Sequence, residues 1–135
     1  MKKAALIIPV NSQNEVLLQH KDPTAPSNPN RWCLFGGGIE AGESPAEAIT
    51  RELLEELEWD TVNEIEYFTT DQSHGVHREV YALNTDRAAD DLRKLLHEGD
   101  DLDFFSEESL MNLDVVEPHL ALIKEFFAKR RHARS

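Results

Sequence analysis

The segment Gly36–Trp59, GGGIEAGESPAEAITRELLEELEW, places a helix with its own start signal directly behind three glycines. Ser44 as N-cap, Pro45 at the first helical position and Glu47 at the third form a capping box, so the beginning of the helix is set locally. At 100° per residue Ala46, Ile49, Leu53 and Leu57 fall on one stripe, which must pack against another layer. Glu52 and Glu56 lie one turn apart at the edge of that stripe, with Glu55 on the other side of Glu52. Glu47, Arg51 and Glu58 point further toward solvent, where Arg51 can pair with Glu47 and Glu55 at i,i+4.

Locally, this placement is unfavourable. Like-charged neighbours cost roughly 0.2 to 0.5 kcal/mol each, and the C-terminal half of a helix disfavours anions. A solvated face accounts for Glu47 and Glu58. It accounts less well for Glu52 and Glu56, which border the buried stripe. Clustered oxygen donors suit a hard cation, Mg²⁺ or Mn²⁺, that keeps some of its waters and shares its shell with substrate phosphates. Gly36, Gly37 and Gly38 let backbone come close to a ligand or to the helix without side chains in the way.

The remaining sequence sets limits on this reading. A chain of 135 residues suffices for one domain with a real core, here taken as residues 1–135. A net charge of -12 argues against nucleic-acid polymers and anionic membranes as partners, because both attract Lys and Arg. The opening MKKAALIIPV is cut short by Pro9 and the polar NSQNE, so it reads as a first strand and not as a leader. With no segment near the roughly 18 apolar residues of a membrane span, a soluble, cytoplasmic protein is expected. The lone Cys33, between Trp32 and Leu34, reads as core packing.

Strands are expected at Ala4 to Val10 and Val16 to Gln19, joined as a hairpin, then at Trp32 to Phe35, Glu64 to Thr69 and Arg78 to Leu83. KDPTAPSNPN, with three prolines, reads as an ordered surface loop or a lid. Arg87 to Leu96 fits a helical turn or a strand, Ser106 to Asn112 a short helix, and Pro118 to Arg130 a last amphipathic helix. The order implies an α+β domain with a mixed sheet between helices.

Gly37, five residues, Glu43, seven residues and then REL-L-EE at Arg51 to Glu56 resemble the Nudix box, the motif of the MutT-like hydrolases. The resemblance implies an α/β/α sandwich and hydrolysis of a diphosphate linked to another moiety, with a divalent metal neutralising the phosphate oxygens. By position it implies Glu52, Glu55, Glu56 and the Gly36 carbonyl as metal ligands, with Mg²⁺ or Mn²⁺ as cofactor. Glu52 would also activate water, Arg51 and Glu43 would orient the carboxylates, and Gly37 and Gly38 would face the substrate. On the helical wheel, however, Arg51 points away from Glu52 and Glu56. Two positions depart from the pattern. Glu58 stands where a glycine is usual, which implies that the helix runs on or ends differently, and Phe35 stands where a proline is common.

HEGDDLDFF, residues 97–105, is similar to the loop from which some Nudix enzymes supply a further ligand or base, which nominates Glu98. Against this stands an acidic turn closed by Gly99, with Asp100, Asp101 and Asp103 solvated. His74 and His77 lack a third zinc ligand and read as a polar hairpin loop. His20 and His119 could contact phosphate or cap local structure, while Trp32, Tyr67 and Phe68 could stack on a base or pack in the core. The terminal KRRHAR reads as a solvated helix end. The expected partner is a small-molecule nucleotide, with a homodimer left open. A nucleoside di- or triphosphate is favoured as substrate, with a nucleotide sugar or a non-catalytic nucleotide-binding module as alternatives.

Overall fold

The computed structural model describes residues 1–134. Strand β1 (Lys2–Val10) lies at the middle of a mixed seven-stranded sheet. It runs parallel to β6 (Val76–Asn84) along its whole length, from Lys2 opposite Val76 to Val10 opposite Asn84. Its other edge is shared. Residues Ala4 to Ile7 pair antiparallel with Gly38 to Phe35 of β4 (Phe35–Gly38), and Val10 meets Val16 of β2 (Val16–His20) across the expected hairpin. β2 continues outward to β3 (Trp32–Cys33) and to β7 (Asp101–Phe105), and β5 (Glu66–Asp71) closes the other edge against β6.

Alternation along β1 divides the core in two, as the period-2 geometry of a strand requires. Ala5 and Ile7 join Leu17 and Phe35 under Ile49, Leu53 and Leu57 of helix α1 (Pro45–Leu57). Leu6, Ile8 and Val10 join Leu18 and Val80 on the opposite face, under Ile123, Phe126 and Phe127 of helix α3 (Glu117–Arg134). This is the α/β/α sandwich expected. Helix α2 (Ala89–Arg93) resolves the ambiguous stretch after β6, and Ser109–Asn112 forms a 3₁₀ turn where a short helix was expected. Among the described residues no helix is long and apolar enough to cross a membrane.

Several details differ from the sequence reading. The strand at Trp32 is broken at Leu34 and resumes through the glycines, because β1 offers Gly36 to Gly38 a ladder partner that local pattern cannot reveal. Ala48, not Ala46, completes the buried stripe of α1. Residues Asp101–Phe105 form strand β7, whose Leu102 is fully buried, directly after the turn at Gly99. The aspartate side chains stay about half exposed, as expected, but are paired: Asp100 with His20 at 2.7 Å, Asp101 with Arg93 at 2.9 Å and Asp103 with Arg93 at 3.5 Å. Glu58 does not extend α1. It adopts the left-handed cap itself, at φ 51° and ψ 34°, and its N–H reaches the Leu54 carbonyl.

An L side chain in that region costs about 1 to 2 kcal/mol, and the exposed pair that Glu58 makes with His97 offsets little of it. Glu58→Gly should therefore raise stability by roughly 0.5 to 1 kcal/mol, read as a higher urea midpoint at unchanged slope.

Candidate active site

The site begins with the capping box. The Glu47 N–H donates to Ser44 Oγ at 3.1 Å and the Ser44 N–H to Glu47 Oε1 at 2.9 Å, which starts α1 over the glycine strand. Glu47 is thereby used at the cap and does not pair with Arg51. Gly36 has φ +146°, and a Cβ there would stand 2.2 Å from the Ala5 carbonyl oxygen. A Cβ on Gly37 would stand 2.5 Å from Glu52 Oε1, so the absent side chain is what lets the Glu52 carboxylate lie on β4.

Arg51 does not point away from Glu52. Its long side chain folds back along the helix, beyond what a wheel drawn at Cα can represent. Nε and Nη2 grip both oxygens of Glu43 at 2.6 and 3.1 Å, and Nη2 also donates to the Gly38 carbonyl at 3.1 Å. Nη1 donates to Glu52 Oε1 at 3.0 Å and to Glu55 Oε2 at 3.3 Å. The hydrogen bond from Arg51 and that from the Glu40 N–H hold Glu43 below the usual carboxylate range, and Arg51 is held firmly protonated.

The three helix glutamates differ in environment. The Glu55 side chain is 60% exposed, Glu52 14%, and Glu56 is buried at 3%. Neither oxygen of Glu56 has a hydrogen-bond partner. Burial raises its pKa well above the ordinary carboxylate value, and the neighbouring Glu52 and Glu98 raise it further. Glu52 adjoins it, but two ionised carboxylates have no donor between them, so a bond forms only when one is protonated. Glu98 is brought to this pair by the 97–100 loop, whose His97 N–H donates to the Glu56 carbonyl at 2.8 Å. Gly99, at φ +79°, allows the approach, since a Cβ there would stand 2.6 Å from the His20 carbonyl.

Among the described residues no three acidic, histidine or cysteine side chains already converge on one point. The donor set nevertheless fits a divalent cation that keeps its own waters. A buried carboxylate with both oxygens orphaned must be neutralised, by a proton or by a bound cation, and its two free oxygens are the kind of donor a hard cation takes.

Most other nominated residues have partners within the fold. His77 bonds Glu79 at 2.9 Å and His20 bonds Asp100. His119 accepts from the Leu34 N–H at 3.1 Å and is lowered to about 4 by burial. Phe68 packs edge-on against Phe126, Trp32 packs between His20 and Phe105, and Tyr67 is exposed. Cys33 is buried, and burial pushes its thiol up to about 12. Sequence reasoning passed over Gln19, whose Oε1 is buried without a partner, and Lys21, whose charge acts on Glu56. Strand alternation was the available signal for both.

The model of the NUDIX domain matches residues 1–126. Among solved structures, the MutT protein from Methanosarcina mazei Go1 is 21% identical over 96% of this chain and 94% of its own, with a TM-score of 0.73. The NUDIX domain of Shewanella oneidensis NrtR, complexed with ADP ribose, is 18% identical over 97% and 88%, at 0.73. A C. elegans Ap4A hydrolase is 20% identical over 96% and 98%, at 0.66. Likeness at these identities is one of fold. No curated protein matches significantly.

The folded-state pKa of Glu56 lies above its unfolded value, so its contribution to stability is present at acidic pH and is lost as pH rises. Metal-free protein should therefore lose stability between about pH 5 and pH 9 in thermal melts. Glu56→Gln should flatten that slope, and added Mg²⁺ or Mn²⁺ should restore the wild type at high pH.

Proposed function

Because the chain belongs to the Nudix hydrolase family, we propose that it is a metal-dependent pyrophosphohydrolase whose substrate is a nucleoside di- or triphosphate. The observation that carries this reading is Glu56, buried with both oxygens unpartnered beside Glu52, at the end of a glycine strand shaped to let carboxylate and backbone meet. On this reading residues 1–135 act as one hydrolase domain.

Glu52, Glu55, Glu56 and the Gly36 carbonyl would hold Mg²⁺ or Mn²⁺, which when bound neutralises phosphate oxygens and lowers the pKa of coordinated water. The chain's own residues supply orientation and proton transfer. Glu52, held by Arg51 and lying on Gly37, is placed to take a proton from the attacking water. Glu43 keeps the Arg51 fork in register, so it acts through Arg51. Glu98 enters from a separate loop, as a further ligand or base. Gly37 and Gly38 keep β4 open to the phosphate chain, although the Gly38 carbonyl is already taken by Arg51.

Phosphate and pyrophosphate release should be measured from nucleoside triphosphates, diphosphates and nucleotide sugars with Mg²⁺ or Mn²⁺. Turnover should require the metal and fall by roughly 10²- to 10⁴-fold in Glu52→Gln, with a comparable loss in Glu56→Gln. Absence of turnover on every substrate, with metal and nucleotide still bound, would favour the non-catalytic binding module. Full activity in both variants would remove the site.

A further inference from the structure

The loop that carries Glu98 is anchored on both sides of that residue. On one side the Asp100 N–H donates to the His20 carbonyl at 3.0 Å and its carboxylate meets His20 Nδ1 at 2.7 Å, which docks the loop on β2. On the other side the His97 N–H donates to the Glu56 carbonyl at 2.8 Å. That carbonyl belongs to the last turn of α1, where a helix has no donors of its own for its acceptors, so His97 fills a position the helix leaves open. The docking on α1 is completed by one side-chain contact, between His97 Nε2 and Glu58 Oε2 at 2.6 Å. A carboxylate has no proton to give, so the ring donates.

Glu58 reaches His97 from an unfavourable backbone. It ends α1 at φ 51° and ψ 34°, with its own N–H on the Leu54 carbonyl and that of Trp59 on the Leu53 carbonyl at 3.3 Å. Such a closure requires a left-handed residue, which glycine supplies without strain and asparagine with little. Glutamate does neither, and because both members of the pair with His97 are half-exposed, the contact adds little to the stability of the whole molecule. Strain that a fold does not recover is kept most often where a site uses it. What Glu58 has and a glycine lacks is a carboxylate long enough to hold His97. For a loop, the quantity at issue is the local equilibrium between docked and undocked backbone, which is small enough for one exposed pair to tilt.

We propose that Glu58 and His97 are positioning residues, which dock the 97–100 loop on the end of α1 and so fix the place of Glu98 beside the glutamate helix. This rests on the hydrolase reading above. Both residues act through the loop and not on the substrate.

The test compares wild type with Glu58→Asn, Glu58→Gln, His97→Leu and the double variant Glu58→Asn, His97→Leu. Three quantities are measured: amide exchange of His97 by NMR in metal-free protein, the urea midpoint, and kcat and KM with Mg²⁺. Glu58→Asn relieves the backbone and withdraws the carboxylate. The urea midpoint should therefore rise while exchange at His97 quickens by roughly 2- to 5-fold, and kcat should fall by a similar factor at little changed KM. His97→Leu should lower kcat equally, and the double variant should lose little more, because all three lack the same pair. Glu58→Gln, whose amide oxygen still accepts from the ring, should keep most of the activity. Should Glu58→Asn fold poorly, His97→Leu and Glu58→Gln carry the same comparison. Unaltered His97 exchange in Glu58→Asn, or losses in the single variants that simply add, overturns the positioning role and leaves the hydrolase reading intact. A wild type without turnover on any substrate overturns the hydrolase reading, and the exchange rates then decide the docking by themselves.

Discussion

The Arg51 guanidinium is the interaction on which the arrangement of the site depends. It joins the loop before α1 through Glu43, the glycine strand through the Gly38 carbonyl, and the helix itself through Glu52 and Glu55. A planar fork with five donors can make all of these contacts at fixed mutual angles, which a lysine in the same position could not. The fork also offsets repulsion among glutamates that the helix places within one turn of each other. Glu52 is thus held by a cation on one side and by the missing Gly37 side chain on the other.

Glu56 shows the opposite condition. Its oxygens are buried without partners, and burial and two neighbouring acids work against its charge. Leaving such a group uncompensated costs stability, a cost that folds carry most often where function requires it. Such a group is neutralised either by a proton, as its raised pKa favours, or by a cation bound from outside. The net charge of -12 has the same sense on a larger scale, since an acidic surface favours cations over anions.

The support behind the site is spread through the chain. β7 docks on β2 and carries the loop of Glu98 to α1, with Gly99 permitting the contact. The beginning of α3 is tied to β3 by the His119 ring on the Leu34 N–H and by the Val116 N–H on the Trp32 carbonyl. These contacts join residues more than eighty positions apart. They keep β3, β4 and the 97–100 loop in one register.

What the sequence determined by itself was whatever a short window can settle. Ser44, Pro45 and Glu47 set the start of α1, period-2 alternation marked β1, and the spacing of Gly37, Glu43 and Arg51 to Glu56 disclosed the family. Those features depend on neighbours within one or two turns. Only tertiary structure decided that Glu56 is buried while Glu55 is exposed, that Arg51 turns back onto Glu52, and that residues 101–105 pair with β2 as a strand. It also decided that Glu58 caps α1 in a left-handed conformation. Each of these outcomes depends on a partner distant in sequence, or on the reach of a long side chain, and no local periodicity encodes either.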